Sequence, residues 1–262
     1  MLPTFVGIGV QRAGTTWIHR CLREHPQVCV PHVKKEVQFF NRHFDRGLEW
    51  YEAQFVVRPE HVAIGEISPN YLSAPEAIPR MAAIVPHAKL FVVLREPVDR
   101  AYSAYHLLSD QYRGLTFREA CERGTLIRLG LYAEQLQRLF QYYRRDQVRV
   151  FLYDDLRSNP ASFLRDLFRW IDVDDSVHPP STGRRYNRIV FPAGQRLLRR
   201  LQLAWVIDAV KNSSVGESLK RIHATELEPP RCDDDVRFLK QAFRDDIIRL
   251  QELICRDLSA WL

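Results

Sequence analysis

The sequence contains no long hydrophobic run, and none of its 262 residues form a stretch long enough to span a membrane as a helix. The first ten residues carry no basic leader and no small-residue cleavage site, so we expect neither a secretory signal nor a transmembrane segment. The five cysteines include no Cys-x-x-Cys pair, and their odd number argues against a disulfide framework. Together these absences predict a cytoplasmic protein with reduced thiols.

Clusters of His and Cys with the spacing of metal ligands are also missing, so we expect no metal site. Internal repeats and low-complexity segments are absent, which excludes repeat and fibrous architectures. The composition is that of an ordinary globular protein, 46% hydrophobic and 27% charged, and the length suits one domain over residues 1–262. A net charge of +6 favours an anionic ligand without identifying it.

Short apolar runs alternate with segments of helical periodicity along the chain. The apolar runs lie at residues 5–10, 28–30, 62–65, 89–94 and 148–153. The helical segments lie at residues 15–24, from about 98 onwards, 117–121, 132–143, 160–171 and 234–262. The run at 89–94, KLFVVL, is apolar on both faces, as in a central strand of a parallel sheet. This order predicts an α/β fold, a central parallel sheet flanked by helices with right-handed crossovers. The sequence of residues 190–225 is typical of basic helices, and we expect this stretch to form either a substrate lid or an extra helical layer.

The first apolar run leads into a glycine-containing turn, GVQRAGTTW at 9–17, which is followed by a helix. The spacing of Gly9 and Gly14 matches a phosphate-cradling loop, and the helix N-terminus offers amides and a positive dipole end to an oxyanion. NTPases place a lysine directly after the second glycine, whereas here Thr15 takes that position and the cation, Arg12, precedes the glycine. The loop therefore suits a 5′ group other than a triphosphate, with a kinase-like NTPase as the alternative.

This turn resembles the 5′-phosphosulfate loop of the sulfotransferase family, which is usually written Lys-x-Gly-Thr-Thr. The matching residues are Arg12, Ala13, Gly14, Thr15 and Thr16, followed by Trp17. Arginine in place of the family's lysine keeps the charge and the reach but removes a proton donor, because a guanidinium stays protonated. The resemblance implies a P-loop-like sulfotransferase fold, with 3′-phosphoadenosine 5′-phosphosulfate (PAPS) as donor and 3′,5′-ADP as product.

Two further segments resemble donor-binding motifs of the same family. The segment LREPVDRAYSAYH, at 94–106, places Arg95 at the end of the buried strand and Ser103 on the next helix, where the family holds the 3′-phosphate. The segment STGRRYN, at 181–187, resembles the late loop that closes over PAPS in the heparan-sulfate branch. Its matching residues are Gly183, Arg184, Arg185 and Tyr186, with Thr182 where a lysine usually precedes the glycine.

The catalytic candidate comes from KKEVQFFN, at 34–41, which resembles the segment that carries the general-base glutamate in the heparan-sulfate branch. Glu36 matches that glutamate, and a carboxylate beside two lysines is expected to be ionised and able to accept a proton. The segment GEISPNYL, at 65–72, resembles the family's acceptor region, with Glu66 as a candidate substrate contact. Ile67 replaces a lysine that faces the sugar in heparan-sulfate enzymes, which argues against a strict heparan-sulfate substrate.

The sequence therefore predicts a sulfotransferase that moves the sulfo group of PAPS to a hydroxyl or amine of a small-molecule, lipid or carbohydrate acceptor. In this interpretation Glu36 takes the acceptor proton, while Arg12 and the loop amides stabilise the charge on the sulfonate and the leaving oxygen. We expect no nucleic-acid partner. The non-enzymatic alternative is a module that binds acidic glycans through its basic loops alone.

Overall fold

The computed structural model describes residues 1–108, 111–183 and 231–262. Five strands form its centre: β1 (Phe5–Gly9), β2 (Val28–Cys29), β3 (Ala63–Ile67), β4 (Lys89–Leu94) and β5 (Val148–Leu152). They pair in parallel in the order β2-β3-β1-β4-β5. The predicted α/β class and its parallel sheet are thus confirmed, and each strand ends within two residues of the predicted apolar run.

Helices flank this sheet over the described ranges. They are α1 (Thr15–Arg23), α2 (Phe39–Arg42), α3 (Gly47–Glu52), α4 (Ala77–Ile84), α5 (Pro97–Leu107), α6 (Phe117–Glu122), α7 (Thr125–Arg128), α8 (Tyr132–Leu139), α9 (Tyr153–Ser158), α10 (Pro160–Trp170) and α11 (Asp233–Ile254). Short 3-10 turns lie at 44–46, 145–147 and 259–261. The periodic segments predicted as helices are helical, and the short helices α2, α3, α4, α7 and α9 were not predicted. The last helix ends at Ile254 instead of reaching the chain end, because Cys255 has a left-handed φ of 52°.

The strand order brings two loops together at one edge of the sheet. β1 lies between β3 and β4, so the chain runs to one side through β2 and β3 and then crosses to β4 and β5. In open α/β sheets, ligands bind outside the carboxyl ends of the strands at such a reversal of strand order. The amide of Val10 donates to the carbonyl of Val93 at 3.0 Å, which fixes the ends of β1 and β4 side by side. The turn after β1 and the segment after Leu94 therefore start next to each other at this edge of the sheet.

The C-terminal helix α11 belongs to the same compact unit as the sheet, which comprises residues 1–185 and 232–262. Its buried Asp246 accepts hydrogen bonds from the amides of Ala133 and Glu134, at 3.0 and 3.4 Å, in the first turn of α8. A carboxylate at that position satisfies helix amides that have no partner within the helix. The stretch at 190–225 lies outside the described residues, so both interpretations of it stay predictions. None of the described helices is both long enough and apolar enough to cross a membrane.

Two glycines allow the central strands to pack closely. A Cβ atom added to Gly65 in β3 would lie 2.3 Å from the carbonyl oxygen of Phe5, and one added to Gly7 in β1 would lie 2.5 Å from Cζ of Phe91. Contacts this short cannot be relieved at Gly65 by a side-chain rotation, because the obstructing atom belongs to the backbone of β1. Glycine at 65 is therefore a requirement of the β1–β3 pairing.

We expect Gly65→Ala to lower the free energy of unfolding by about 1–3 kcal/mol or more, because the two strands must separate to admit the methyl group. Chemical denaturation measures this change directly. The control is Gly183→Ala, where no atom of the described residues lies within 4 Å of the added Cβ, and a change of less than about 0.5 kcal/mol is expected there. Equal stabilities for the two variants would contradict the role assigned to Gly65.

Candidate functional site

The turn after β1 presents the N-terminus of α1 at the carboxyl edge of the sheet. The backbone is left-handed at Arg12 and at Gly14, with φ of 72° and 79°, and Gly14 is the residue that precedes the helix. The amides of Trp17 and Ile18 both donate to the carbonyl of Gly14, at 2.9 and 3.1 Å, which starts the helix sharply. The first turn contains no acidic residue. An anion is therefore the natural partner for the positive end of α1 and its first amides.

Arg12, from the first motif, meets Arg95 and Ser103, from the second motif, beside this turn. Arg12 Nε donates to Ser103 Oγ at 2.9 Å, and Arg95 Nη1 donates to the carbonyl oxygen of Arg12 at 3.0 Å. Burial and the charge of Arg95 both lower the pKa of Arg12 from its ordinary value. Asp99 Oδ2 lies 3.7 Å from Arg95 Nη2 and offsets part of this positive charge.

One donor of this cluster is buried without a partner among the described residues: Arg95 Nε. Buried donors normally have a hydrogen-bond partner, so an orphaned guanidinium nitrogen indicates a missing acceptor. Two planar guanidinium groups and a hydroxyl form a donor set that suits the several charged oxygens of a phosphate. The cluster is therefore a candidate phosphate site.

The segment that carries Glu36 lies over the first turn of α1. Lys35 Nζ donates to Thr15 Oγ1 and to Thr16 Oγ1, both at 3.2 Å, and lies 3.0 Å from Glu36 Oε1. Gln38 Nε2 donates to the other oxygen, Glu36 Oε2, at 3.1 Å. The side chain of Lys35 thus lies between the half-buried Glu36 and the N-terminus of α1, which is the candidate anion site. The sequence interpretation treated Lys35 only as a charged neighbour of Glu36 and missed its contact with the turn.

Glu66 does not line a cleft, contrary to the prediction that it contacts the acceptor. Its side chain is completely buried at the end of β3. Burial raises the pKa of its carboxyl group, and hydrogen bonds that the carboxylate accepts oppose part of this rise. The four donors are the Val37 amide at 3.3 Å, Ser68 Oγ at 2.6 Å, and the hydroxyls of Tyr51 and Tyr71 at 2.8 Å each.

These contacts make Glu66 a positioning residue for the segment that follows Glu36. The amide of Val37 donates to Glu66, and the next amide, that of Gln38, donates to Ser68 Oγ at 3.0 Å. Two consecutive amides are thereby tied to the end of β3. Gln38, two residues after Glu36, has a left-handed φ of 52°, and α2 begins at the next residue.

The third predicted motif begins against α1. Trp17 is almost fully buried, and its Nε1 donates to the carbonyl of Ser181 at 3.0 Å. Ser181 in turn donates through its amide and its hydroxyl to the carboxylate of Glu24, at 2.8 and 2.5 Å. The indole of Trp17 therefore holds a loop, and the place of Trp17 among the donor-binding residues stays a prediction. Thr182 and Gly183 follow directly, while Arg184, Arg185 and Tyr186 lie outside the described residues.

Comparison with known proteins identifies the family. The family model described as "Sulfotransferase domain" matches residues 3–186, which covers the turn, the cluster and the Glu36 segment. The chain belongs to the sulfotransferase family. This confirms the family that the motifs at 12–16, 94–106 and 34–41 indicated.

Relatives of this sulfotransferase include two large mammalian proteins. The chain is 29% identical over 288 residues to the bifunctional heparan sulfate N-deacetylase/N-sulfotransferase 4 of Mus musculus. It is 31% identical over 294 residues to the bifunctional heparan sulfate N-deacetylase/N-sulfotransferase 2 of Homo sapiens. Both alignments cover 100% of this chain but 31% of the relative, so the chain spans about a third of their length.

A solved structure of similar size matches the fold throughout. The sulfotransferase from Alicyclobacillus acidocaldarius superimposes with a TM-score of 0.73 at 28% identity, over 100% of this chain and 99% of that one. Among the described residues of the present sulfotransferase, no three His, Cys, Asp or Glu side chains are grouped so that they could hold a metal ion.

We expect Glu66→Gln to lower the free energy of unfolding by about 1–3 kcal/mol, because an amide nitrogen would replace an oxygen that accepts two hydrogen bonds. Chemical denaturation provides the measurement. The matched control is Glu60→Gln, at an exposed position, for which a change within about 0.5 kcal/mol is expected. A Glu66→Gln protein as stable as the control would show that the four contacts contribute nothing.

Proposed function

We propose that this sulfotransferase transfers the sulfo group of PAPS to a hydroxyl or amine of its acceptor, with Glu36 as general base. The observation that carries the proposal is the meeting of three elements at one sheet edge. They are the N-terminus of α1, the cluster of Arg12, Arg95 and Ser103, and the segment that holds Glu36. Two anion sites beside one carboxylate suit a donor with anionic groups at both its 3′ and 5′ positions.

The residues present fit such a donor. Arg95 supplies an unsatisfied buried nitrogen, and Ser103 and the guanidinium of Arg12 complete a set of donors for the 3′-phosphate. The first amides of α1, at Thr15 and Thr16, are placed to receive the 5′ end at the positive pole of the helix. Residues 182–186 would extend the site, since their first member is held near α1 through Ser181.

Bound PAPS would supply a sulfo group whose bond to the bridging phosphate oxygen breaks as the acceptor bonds to sulfur, the electron pair leaving with 3′,5′-ADP. Glu36 accepts the proton that the attacking hydroxyl or amine loses, because an ionised carboxylate is a competent base when it lies within hydrogen-bonding reach. The amides at the start of α1 stabilise negative charge that grows at the 5′ end during this step.

The acceptor is a small molecule, a lipid or a carbohydrate in this proposal. The relatives named for heparan sulfate favour a carbohydrate. Ile67, at the position where the resemblance implies a sugar-facing lysine, is completely buried at the end of β3. A buried aliphatic side chain offers nothing to a sulfated sugar, which favours an acceptor other than strict heparan sulfate. Incubation with isotopically labelled PAPS and a panel of acceptors, read by mass spectrometry, tests the function directly. Turnover of ATP in place of PAPS would instead support the kinase-like alternative.

We expect Arg95→Ala to weaken binding of 3′,5′-ADP about tenfold or more while leaving AMP binding nearly unchanged. The reason is that the lost contact is a charged hydrogen bond to the 3′-phosphate, which AMP lacks, and such a bond contributes roughly 1.5–3 kcal/mol. Titration calorimetry measures both affinities. Arg149→Ala, which removes an exposed arginine from β5, is the control and should alter neither. Equal losses for 3′,5′-ADP and AMP would refute the assignment of Arg95 to the 3′-phosphate.

We expect Glu36→Gln to bind PAPS within a few-fold of the original protein but to transfer sulfate about 10²–10⁴-fold more slowly, because the amide cannot accept the acceptor's proton. Single-turnover transfer to an acceptor identified by the panel gives the rate. Glu49→Gln, at an exposed position in α3, serves as the control with unchanged rate. If Glu36→Gln transfers at the original rate across the pH range, another group is the base.

A further inference from the structure

Arg12 and Lys35 occupy different parts of the candidate site, an arrangement that the loop motif alone does not predict. The side chain of Arg12 turns to Ser103, and the carbonyl of Arg12 is held by Arg95, so its guanidinium lies with the 3′-phosphate cluster. Lys35 comes from a different segment and places its ammonium on the hydroxyls of Thr15 and Thr16. The cation at the first turn of α1 is thus Lys35.

A lysine at this end of a helix is electrostatically unfavourable by itself. The N-terminus of a helix carries a partial positive charge, so a cation there raises the energy and an anion lowers it. The first turn of α1 contains no acidic residue to neutralise the lysine. Glu36 pairs with Lys35 at 3.0 Å, but its other oxygen accepts from Gln38. An anion held between the ammonium and the first amides of α1 would be attracted by both.

Neighbouring basic groups do not compete for this position. Burial, assisted by the charges of Lys35 and Arg23, lowers the pKa of His19 to about 4, so its imidazole is neutral at pH 7. Lys34 is exposed. Lys35 is half-buried and held by three oxygen atoms at 3.0–3.2 Å. Its position is therefore fixed where the sulfo end of a donor would lie.

We propose that Lys35, and not Arg12, is the side-chain cation that contacts the sulfo group and the oxygen joining it to the 5′-phosphate. This rests on the proposed function, since it needs PAPS as the donor. Lysine is a compact charge with three N–H donors, and it can give up a proton where arginine cannot. Lys35 thereby supplies what the exchange of lysine for Arg12 removes from the loop. As the sulfur–oxygen bond breaks and its electron pair passes to the phosphate oxygen, the ammonium donates a hydrogen bond to that oxygen.

The test uses cleavage of PAPS by water, which needs no acceptor, together with calorimetric binding of 3′,5′-ADP. Lys35→Ala and Lys35→Met are expected to slow hydrolysis by about 100-fold, the usual effect of removing one such donor. Their affinity for 3′,5′-ADP is expected to fall less than about tenfold, because the sulfo group is absent from it. Arg12→Ala is expected to affect the other measurement more strongly: its affinity for 3′,5′-ADP should fall about tenfold or more. Lys34→Ala is the control and should change neither measurement.

Partial recovery of hydrolysis by Lys35→Arg would support a role for charge at this position. Lys35→Met keeps the aliphatic stem, and thermal unfolding shows whether each variant is folded. If both uncharged variants hydrolyse PAPS at the original rate, the proposal for Lys35 is overturned while the proposed function stands. The proposal for Lys35 is likewise overturned, and the proposed function stands, if removing Lys35 no longer slows hydrolysis in a Glu36→Gln background. Lys35 would then act only by holding Glu36. Absence of PAPS hydrolysis and of 3′,5′-ADP binding in the original protein would overturn both proposals.

Discussion

The buried carboxylate of Glu66 is the contact on which the arrangement of the site depends. Removing a carboxylate from water is costly unless donors surround it, and here four donors from three segments do so. One of them is the backbone amide directly after Glu36. The end of β3 therefore determines where Glu36 and Lys35 lie, although neither belongs to the sheet. A change at this buried group would reach the chemistry through the backbone, with no contact to a substrate.

The remaining parts of the site follow from strand order and from charge. Because β1 and β4 are adjacent, the turn at Gly14 and the guanidinium of Arg95 emerge at the same edge. Arg95, Arg12 and Lys35 bring three positive charges to a region that also contains the positive end of α1. Such an accumulation is unfavourable in the protein alone. It becomes favourable when a ligand brings several negative charges, which relates the basic character of the site to the donor proposed for it.

Much of the fold could be predicted because it is recorded in local patterns. Apolar runs predicted all five strands, and the motif after β4 singled out Arg95 and Ser103, which the structure places beside Arg12. The contact between Lys35 and Thr15 joins residues 20 positions apart, and Lys35 lies outside the helices and strands, so no local pattern reports it. The buried hydrogen bonds of Glu66 were missed for a similar reason, since they come partly from two tyrosines 20 residues apart, Tyr51 and Tyr71. Short helices such as α2 depend on packing more than on propensity, and their sequences carry little signal.

The position of α11 has a consequence for fragments of this protein. The match to the family model ends at residue 186, yet α11 caps α8 through Asp246, and the ring of Phe243 fills the space that Gly130 leaves. The stretch that the family model matches is therefore shorter than the compact unit, which also includes residues 232–262. A backbone break between residues 183 and 231 would separate two pieces that need each other, in the manner of fragment complementation.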